Sequence, residues 1–316
     1  MDSLSHALIG LAVASLSCHQ PALNDPVYIA AVLGSQAPDF DIIAQLRGSI
    51  SYLRQHRFFS HSIPGLTFWS LSIAGILQLS LVQPNFVQNI FWAFMGGLSH
   101  ILIDYFNTHG VALLWPFKKD RKSVPLLNVF DPIILLILLI PYAFQLSMRS
   151  LSFATFTALA AYILLRYLLR RQLSIWLKKY FCDHVITKMW LMPSLNHLLF
   201  WDFVIETNNR IFIGHRGMLH SALTIKADLP KHQLMSPLTQ KAQQTCLGQF
   251  FHLFTPYSFF EEHWENDSVK VTIYDLRYYA NQQFIHSGTI LFDLDQVPSE
   301  YYLHSMGRTL KFAAET

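Results

Sequence analysis

Residues 86–104 read FVQNIFWAFMGGLSHILID. No charged side chain interrupts Phe86 to Ile103, and a run near the ~20 residues that cross the hydrocarbon core reads as a transmembrane helix. At its end stand His100 and Asp104. Four positions apart on a helix, they share one face with Cβ atoms about 6 Å apart, a spacing suited to one ion or two adjacent ones. Ionisable groups inside a span are costly and face a partner or a cavity. Taken alone, the pair is equally well an ordinary intramembrane hydrogen bond. Gly96-Gly97, one turn earlier, lets another helix approach closely, for packing or for a site.

Two further stretches have the same character, Ile63 to Gln83 and Pro132 to Met148, and a fourth runs from Ser150 to about Leu169. The fourth contains Arg166 near one end, where a long side chain can snorkel to the headgroups. Pro141 should kink the third. Two shorter apolar pieces, Leu4 to Ser17 and Val27 to Pro38, lie ahead of these as short spans or a re-entrant hairpin. The expectation is a membrane all-α helical bundle of about six transmembrane or membrane-embedded helices over residues 1–170, followed by a small cytosolic α+β domain over 171–316.

Composition supports a membrane chain with a polar appendage: 52% of the 316 residues are hydrophobic and only 14% are charged. Residues 1–169 hold 9 Lys/Arg and 7 Asp/Glu, whereas 170–316 hold 14 and 13, the density of a water-exposed domain. No basic run interleaved with aromatics marks a nucleic-acid stripe, so no nucleic acid is expected. Three scattered cysteines exclude a disulfide framework or a cysteine-based zinc site. Before the first apolar run stands Asp2 and no Lys or Arg, which lacks the basic start of a secretory signal.

Arg47, Arg54 and Arg57 fall in one inter-helix segment, and Lys118, Lys119, Arg121 and Lys122 in another. The positive-inside rule makes both cytoplasmic. Six crossings would then give a multi-pass protein of the cytoplasmic (inner) membrane with both termini inside. In the C-terminal part, Leu173 to Trp190 reads as an amphipathic helix. Leu198 to Glu206 and Arg210 to Gly214 read as strands around an Asn208-Asn209 turn. Ser268 to Tyr274 and Phe284 to Leu294 also read as strands, and Lys231 to Leu253 as helical.

The chemistry-bearing residues collect on one side of this topology. His6 starts the first helix, Asp39 and Asp41 end the second, His56 to His61 precede the third, and His100 and Asp104 end the fourth. Each alone has a plain alternative: a solvated loop or cap for Asp39 and Asp41, a satisfied core residue for either His, a topology anchor for Arg57. Arg57 could also steady a phosphate with its planar fork. Ser60 and Ser62 could orient the histidines. Asp131 before Pro132 is fully described as a helix cap with proline in the first turn. Charge bias and motif position nevertheless converge on one membrane face, making His6, Asp39, Asp41, His56, His61, His100 and Asp104 a pool of metal ligands. Asp39 or Asp41 would serve as general base.

The series Ser5-His6, Pro38-Asp39-Phe40-Asp41, His56-Arg57 to Ser60-His61-Ser62, and His100 to Asp104 resembles the membrane-bound metal-dependent hydrolase family typified by YdjM and YfhP. The resemblance covers roughly residues 1–145. Pro193 to Asn196 with Trp201 to Glu206 is similar to the YfhP-like branch, which carries such a C-terminal domain. The family's first His usually follows Thr, and here Ser5 keeps the hydroxyl. More distantly, His100-x3-Asp104 with His109 beyond is similar to an element of zinc-dependent phospholipase C, which implies phosphoester hydrolysis.

The expected function is therefore a membrane-bound metal-dependent phosphoester hydrolase, using zinc, with manganese or magnesium as alternatives. Membrane lipids are the expected partners and a lipid-derived phosphoester a candidate substrate. The competing reading is a transporter or channel with an intramembrane His/Asp metal or proton site, which predicts ionisable groups at mid-depth or on both faces.

Overall fold

The computed structural model describes residues 1–40, 59–80, 85–118, 121–144, 147–195, 197–218, 222–231, 236–265, 268–305 and 307–311. The chain divides into two compact units, one of Met1–Leu173 with Met192–Leu198, the other of Ser174–Leu191 with Leu199–Thr316.

The first unit is helical. α1 spans Ser3–Ala14, capped by Asp2, whose carboxylate accepts from the Ser5 amide at 3.0 Å, and it runs on into a 3-10 turn at Ser15–Ser17. α2 spans Pro26–Gln36 behind an Asp25 cap. α3 covers Ile63–Ser80 and α4 Phe86–Tyr105, the latter capped by Asn85. α5 spans Pro132–Ala143 and α6 Met148–Tyr180. Asp131 caps α5, accepting from the Ile133 amide at 3.1 Å, and proline in the first turn has no amide to leave unpaired.

The six-span bundle is not what forms. Among the described residues, three helices are long and apolar enough to cross a membrane: α3, α4 and α6. At 1.5 Å per residue, the 12 residues of α1 and of α5 and the 11 of α2 reach about 16–18 Å, short of the ~30 Å core. Apolar content alone did not reveal where these helices stop. α5 runs through Pro141 and ends at Ala143 rather than reaching Met148, with Phe144 extended as its cap. α6 instead continues past Leu169, since Arg170, Arg171, Lys178 and Lys179 lengthen the helix without interrupting it.

Small residues bring α2 and α4 together. A Cβ on Gly96 would fall on the Ala31 carbonyl and one on Gly34 on the Ala93 carbonyl, so the two backbones touch on both sides of the crossing. Ala30, Ala93, Ile73 and Leu77 complete a core among α2, α3 and α4.

A second anchor lies at α6. Arg166 is 1% exposed. It donates to the Leu126 carbonyl at 2.7 Å, the Leu198 carbonyl at 3.0 Å and Asn128 Oδ1 at 3.3 Å. Asn128 in turn donates to the Ser194 carbonyl at 2.6 Å, and Tyr162 to Asp131 at 2.9 Å. Arg166 therefore does not snorkel. It ties residues 192–198 to the helical unit, where buried carbonyls need donors.

The second unit is far richer in β-structure than a small α+β domain. β1 (Ile186–Pro193), β2 (Phe200–Thr207), β3 (Arg210–Gly217) and β4 (Thr224–Pro230) form one sheet in that order. α7 (Pro237–Gln244) and α8 (Cys246–Phe254) follow. β5 (Ser258–Glu265), β6 (Ser268–Asp275), β9 (His286–Phe292), β10 (Pro298–Ser305) and β11 (Arg308–Lys311) form a five-stranded sheet ordered β11-β10-β9-β6-β5. Between β6 and β9, β7 (Tyr279–Ala280) and β8 (Gln283–Phe284) make a small hairpin. Val204, Ile211, Ile213 and Leu276 form a core joined by Trp190, Tyr257 and Phe259. The expected helix over Leu173 to Trp190 is in fact the end of α6 followed by the start of β1. The strand readings do identify β2 and β3, around the Asn208-Asn209 turn, and β6 and β9, from alternation.

Candidate metal centre

Five side chains from four separate segments meet in the helical unit. α1 carries His6 in its first turns, held by the Asp2 cap, which also accepts from Ser5 Oγ at 2.7 Å. The turn after α2 carries Asp39, and the turn entering α3 carries His61. The last turns of α4 carry His100 and Asp104. His6, His61, His100 and Asp104 are fully buried, whereas the Asp39 side chain keeps 27% exposure.

Two overlapping triads result, His6/Asp39/His100 and His61/His100/Asp104, each with ligand atoms within 4.8 Å of one another. His61 Nε2 lies 3.2 Å from His100 Nε2. Each of these nitrogens is 3.7 Å from Asp39 Oδ1 and 3.7 Å from Asp104 Oδ2. The His6 ring stacks on His100 at 3.6 Å and 12°, with His6 Nε2 3.4 Å from Asp104 Oδ1.

The surrounding groups fix which atoms face inward. His100 Nδ1 is 2.7 Å from the Ser35 carbonyl. A carbonyl only accepts, so Nδ1 carries the proton and a neutral ring offers its lone pair at Nε2. His61 Nδ1 is 3.0 Å from Ser60 Oγ, leaving its Nε2 toward the cluster. Asp104 accepts from Asn107 Nδ2 at 2.7 Å and from the Met1 amino group. These are the outer contacts that orient metal-ligating imidazoles and carboxylates.

A divalent cation fits this donor set. Three imidazoles and two carboxylates are the ligands of borderline metals. His6 Nδ1 is buried with no hydrogen-bond partner among the described residues, a costly state for a polar atom that a ligand role would relieve.

Of the residues expected from sequence, His6, Asp39, His61, His100 and Asp104 are brought together, while Asp41, His56 and Arg57 lie outside the described residues. Ser60 contacts a ring nitrogen. Ser62 caps α3 instead, donating to the Phe59 carbonyl at 2.6 Å and accepting from the Gly65 amide at 3.2 Å. Sequence reasoning missed the Ser35 carbonyl and Asn107. Backbone groups leave no residue-type signal, but Asn107 stands three positions after Asp104 at a helix end.

Residues 1–173 match the model of the family described as YdjM inner membrane protein. The chain belongs to the YdjM family. The YdjM-matching region contains every residue of the cluster, and the inner-membrane character of that family agrees with the three long apolar helices. The chain is also similar to a Bacillus subtilis (strain 168) protein described as uncharacterized protein YfhP, 29% identical over 292 residues, covering 88% of this chain and 87% of that protein. The likeness to YfhP thus extends through most of the β-rich unit. No solved structure matches.

Proposed function

We propose that this YdjM-family membrane protein is a metal-dependent hydrolase acting on a phosphoester at the cytoplasmic face. The observation that carries the reading is the meeting of the His61 and His100 Nε2 atoms at 3.2 Å, with Asp39 and Asp104 within 3.7 Å of both. His6, His61, His100 and Asp104 would hold a divalent ion, with Asp39 as a further donor. Three imidazoles favour zinc, with manganese or magnesium as less suited occupants. When bound, such an ion supplies Lewis acidity toward a phosphoryl oxygen and acidifies a water at neutral pH.

The protein's own groups do the rest. Ser60 and the Ser35 carbonyl orient the two rings. Asp39, partly open to solvent, is suited to taking up a proton at its carboxylate, a role that Asp41 shares in this proposal. Arg57, in the same inter-helix segment of sequence, supplies a fork for phosphate oxygens. Basic residues Arg47 to Arg57 and Lys118 to Lys122 flank the cluster end of α3 and α4, and Arg170, Arg171, Lys178 and Lys179 follow the apolar part of α6. The positive-inside rule therefore favours a cytoplasmic location for the cluster end of α3 and α4.

The test is turnover by the full chain, purified in detergent without chelator, against phosphomonoesters, phosphodiesters and lipid-derived phosphoesters. Product release that EDTA abolishes, zinc restores and Asp104→Ala lacks supports the reading. A metal-loaded chain that turns over none of the panel, yet moves metal ions across vesicle membranes, contradicts it in favour of transport.

A further inference from the structure

Beyond the centre, the segment that leaves α4 is built as a lip with an apolar tip and a basic flank. Its base is closed by reciprocal backbone hydrogen bonds between Val111 and Lys122, at 3.1 and 3.0 Å. Gly110 permits this closure, with φ +68° and the Lys122 carbonyl where a Cβ would sit. The outgoing side exposes Leu113, Leu114 and Phe117, the last at 90%. Trp115 packs edge-on against Phe59 at 5.5 Å, which continues to Phe68 at 5.9 Å on α3. The basic flank carries Lys118 and Lys122, both exposed.

Both attachments of this lip touch the chain beside the metal ligands. The Ile63 amide, two residues past His61, donates to the Leu113 carbonyl at 3.2 Å. The Val124 amide donates to the Tyr105 carbonyl, next to Asp104, at 2.9 Å.

We propose that Leu113, Leu114, Phe117, Lys118 and Lys122 form a leaflet-binding lip that selects anionic phospholipid beside the metal cluster. Aromatic and leucine side chains followed at once by lysines are the chemistry of the headgroup boundary, where apolar groups enter the acyl edge and ammonium groups meet phosphate. An apolar tip on water would be a liability, and a purely apolar lip would not discriminate between headgroups. The basic flank supplies that discrimination, because each lysine near an anionic leaflet strengthens binding about fivefold. The lip's occupant is bilayer phospholipid and not a free phosphate compound, since the tip contributes only when acyl chains are present.

The full chain is reconstituted into nanodiscs of phosphatidylcholine with graded phosphatidylglycerol, and retained lipid is measured by native mass spectrometry after gentle delipidation. Wild type is expected to enrich phosphatidylglycerol. Lys118→Gln/Lys122→Gln is expected to lower that enrichment about fivefold per lysine, and Lys241→Gln/Lys311→Gln, on the β-rich unit, to leave it unchanged. Phe117→Ser should reduce quenching of tryptophan emission by brominated lipid. The same enrichment is expected in Asp104→Ala, so that loss of the centre and loss of lipid selection are read separately. Equal enrichment in wild type and the Lys118/Lys122 variant, an equal drop in the control pair, or stripping of the lipid by millimolar glycerol phosphate would each overturn the proposal.

Discussion

The Nε2 atoms of His61 and His100 face one another at 3.2 Å, each ring held from behind, one by Ser60 Oγ and the other by the Ser35 carbonyl. Because the Ser35 carbonyl fixes the proton of His100 on Nδ1, two imidazole nitrogens point at one place from elements 39 residues apart. Such an arrangement favours a shared cation over two separate rings.

Ser60→Ala tests how much the outer contact matters. Loss of an orienting partner typically weakens metal binding about 10- to 100-fold. Competition against a chelating dye should show a drop of that size with the fold intact by circular dichroism, and unchanged affinity would show that Ser60 does not orient His61.

Gly96→Ala tests the packing that brings His100 to Ser35. The added methyl meets the Ala31 carbonyl, and overpacking of this kind costs about 1–3 kcal/mol. Thermal unfolding in detergent should move to lower temperature. Gly75→Ala, where nothing lies within 4 Å, should not destabilise the protein by separating helices.

Arg166→Leu tests the tie between α6 and residues 192–198. Each buried acceptor left without a donor costs about 1–3 kcal/mol. Hydrogen exchange in 192–198 should accelerate relative to wild type, and unchanged protection would mean that other contacts hold the segment.

His286, in β9, gives the β-rich unit a pH dependence. Burial pushes its pKa below the ordinary 6.5, the Asp275 carboxylate opposes that shift and the Arg277 guanidinium adds to it. With the folded value depressed, the unfolded chain binds more protons below pH 6.5. The contribution to stability is therefore full above 6.5 and declines as pH falls toward the folded pKa. Exchange of β9 amides, corrected for intrinsic rates, should show protection falling from pH 7 to 5, and His286→Gln should flatten that slope.

The clustered residues were legible because an ionisable His or Asp at the end of an apolar helix is rare, and because motif position and the expected charge bias pointed to one side. His61 and His100 were found this way although nothing local links them. Helix length was legible only where composition and backbone agree. α4 met both conditions, whereas α1 and α2 are equally apolar but too short to cross. α2 is instead held against α4 by the close backbone approach at Gly34 and Gly96, a tertiary fact. β1 escaped notice because Ile186–Pro193 follows α6 after only a short turn, so the helical period of Trp176 and Leu177 carried over into it. The paired strands β2 and β3 were readable from the Asn208-Asn209 turn between two runs of strand character.

The metal content of the chain bears most directly on the account. Elemental analysis of the full chain, purified without chelators, should find at least stoichiometric divalent metal, zinc foremost, in wild type and a loss of it in His61→Ala and Asp104→Ala. Folded wild type with no stoichiometric metal, even after incubation with zinc, manganese or magnesium, would contradict it.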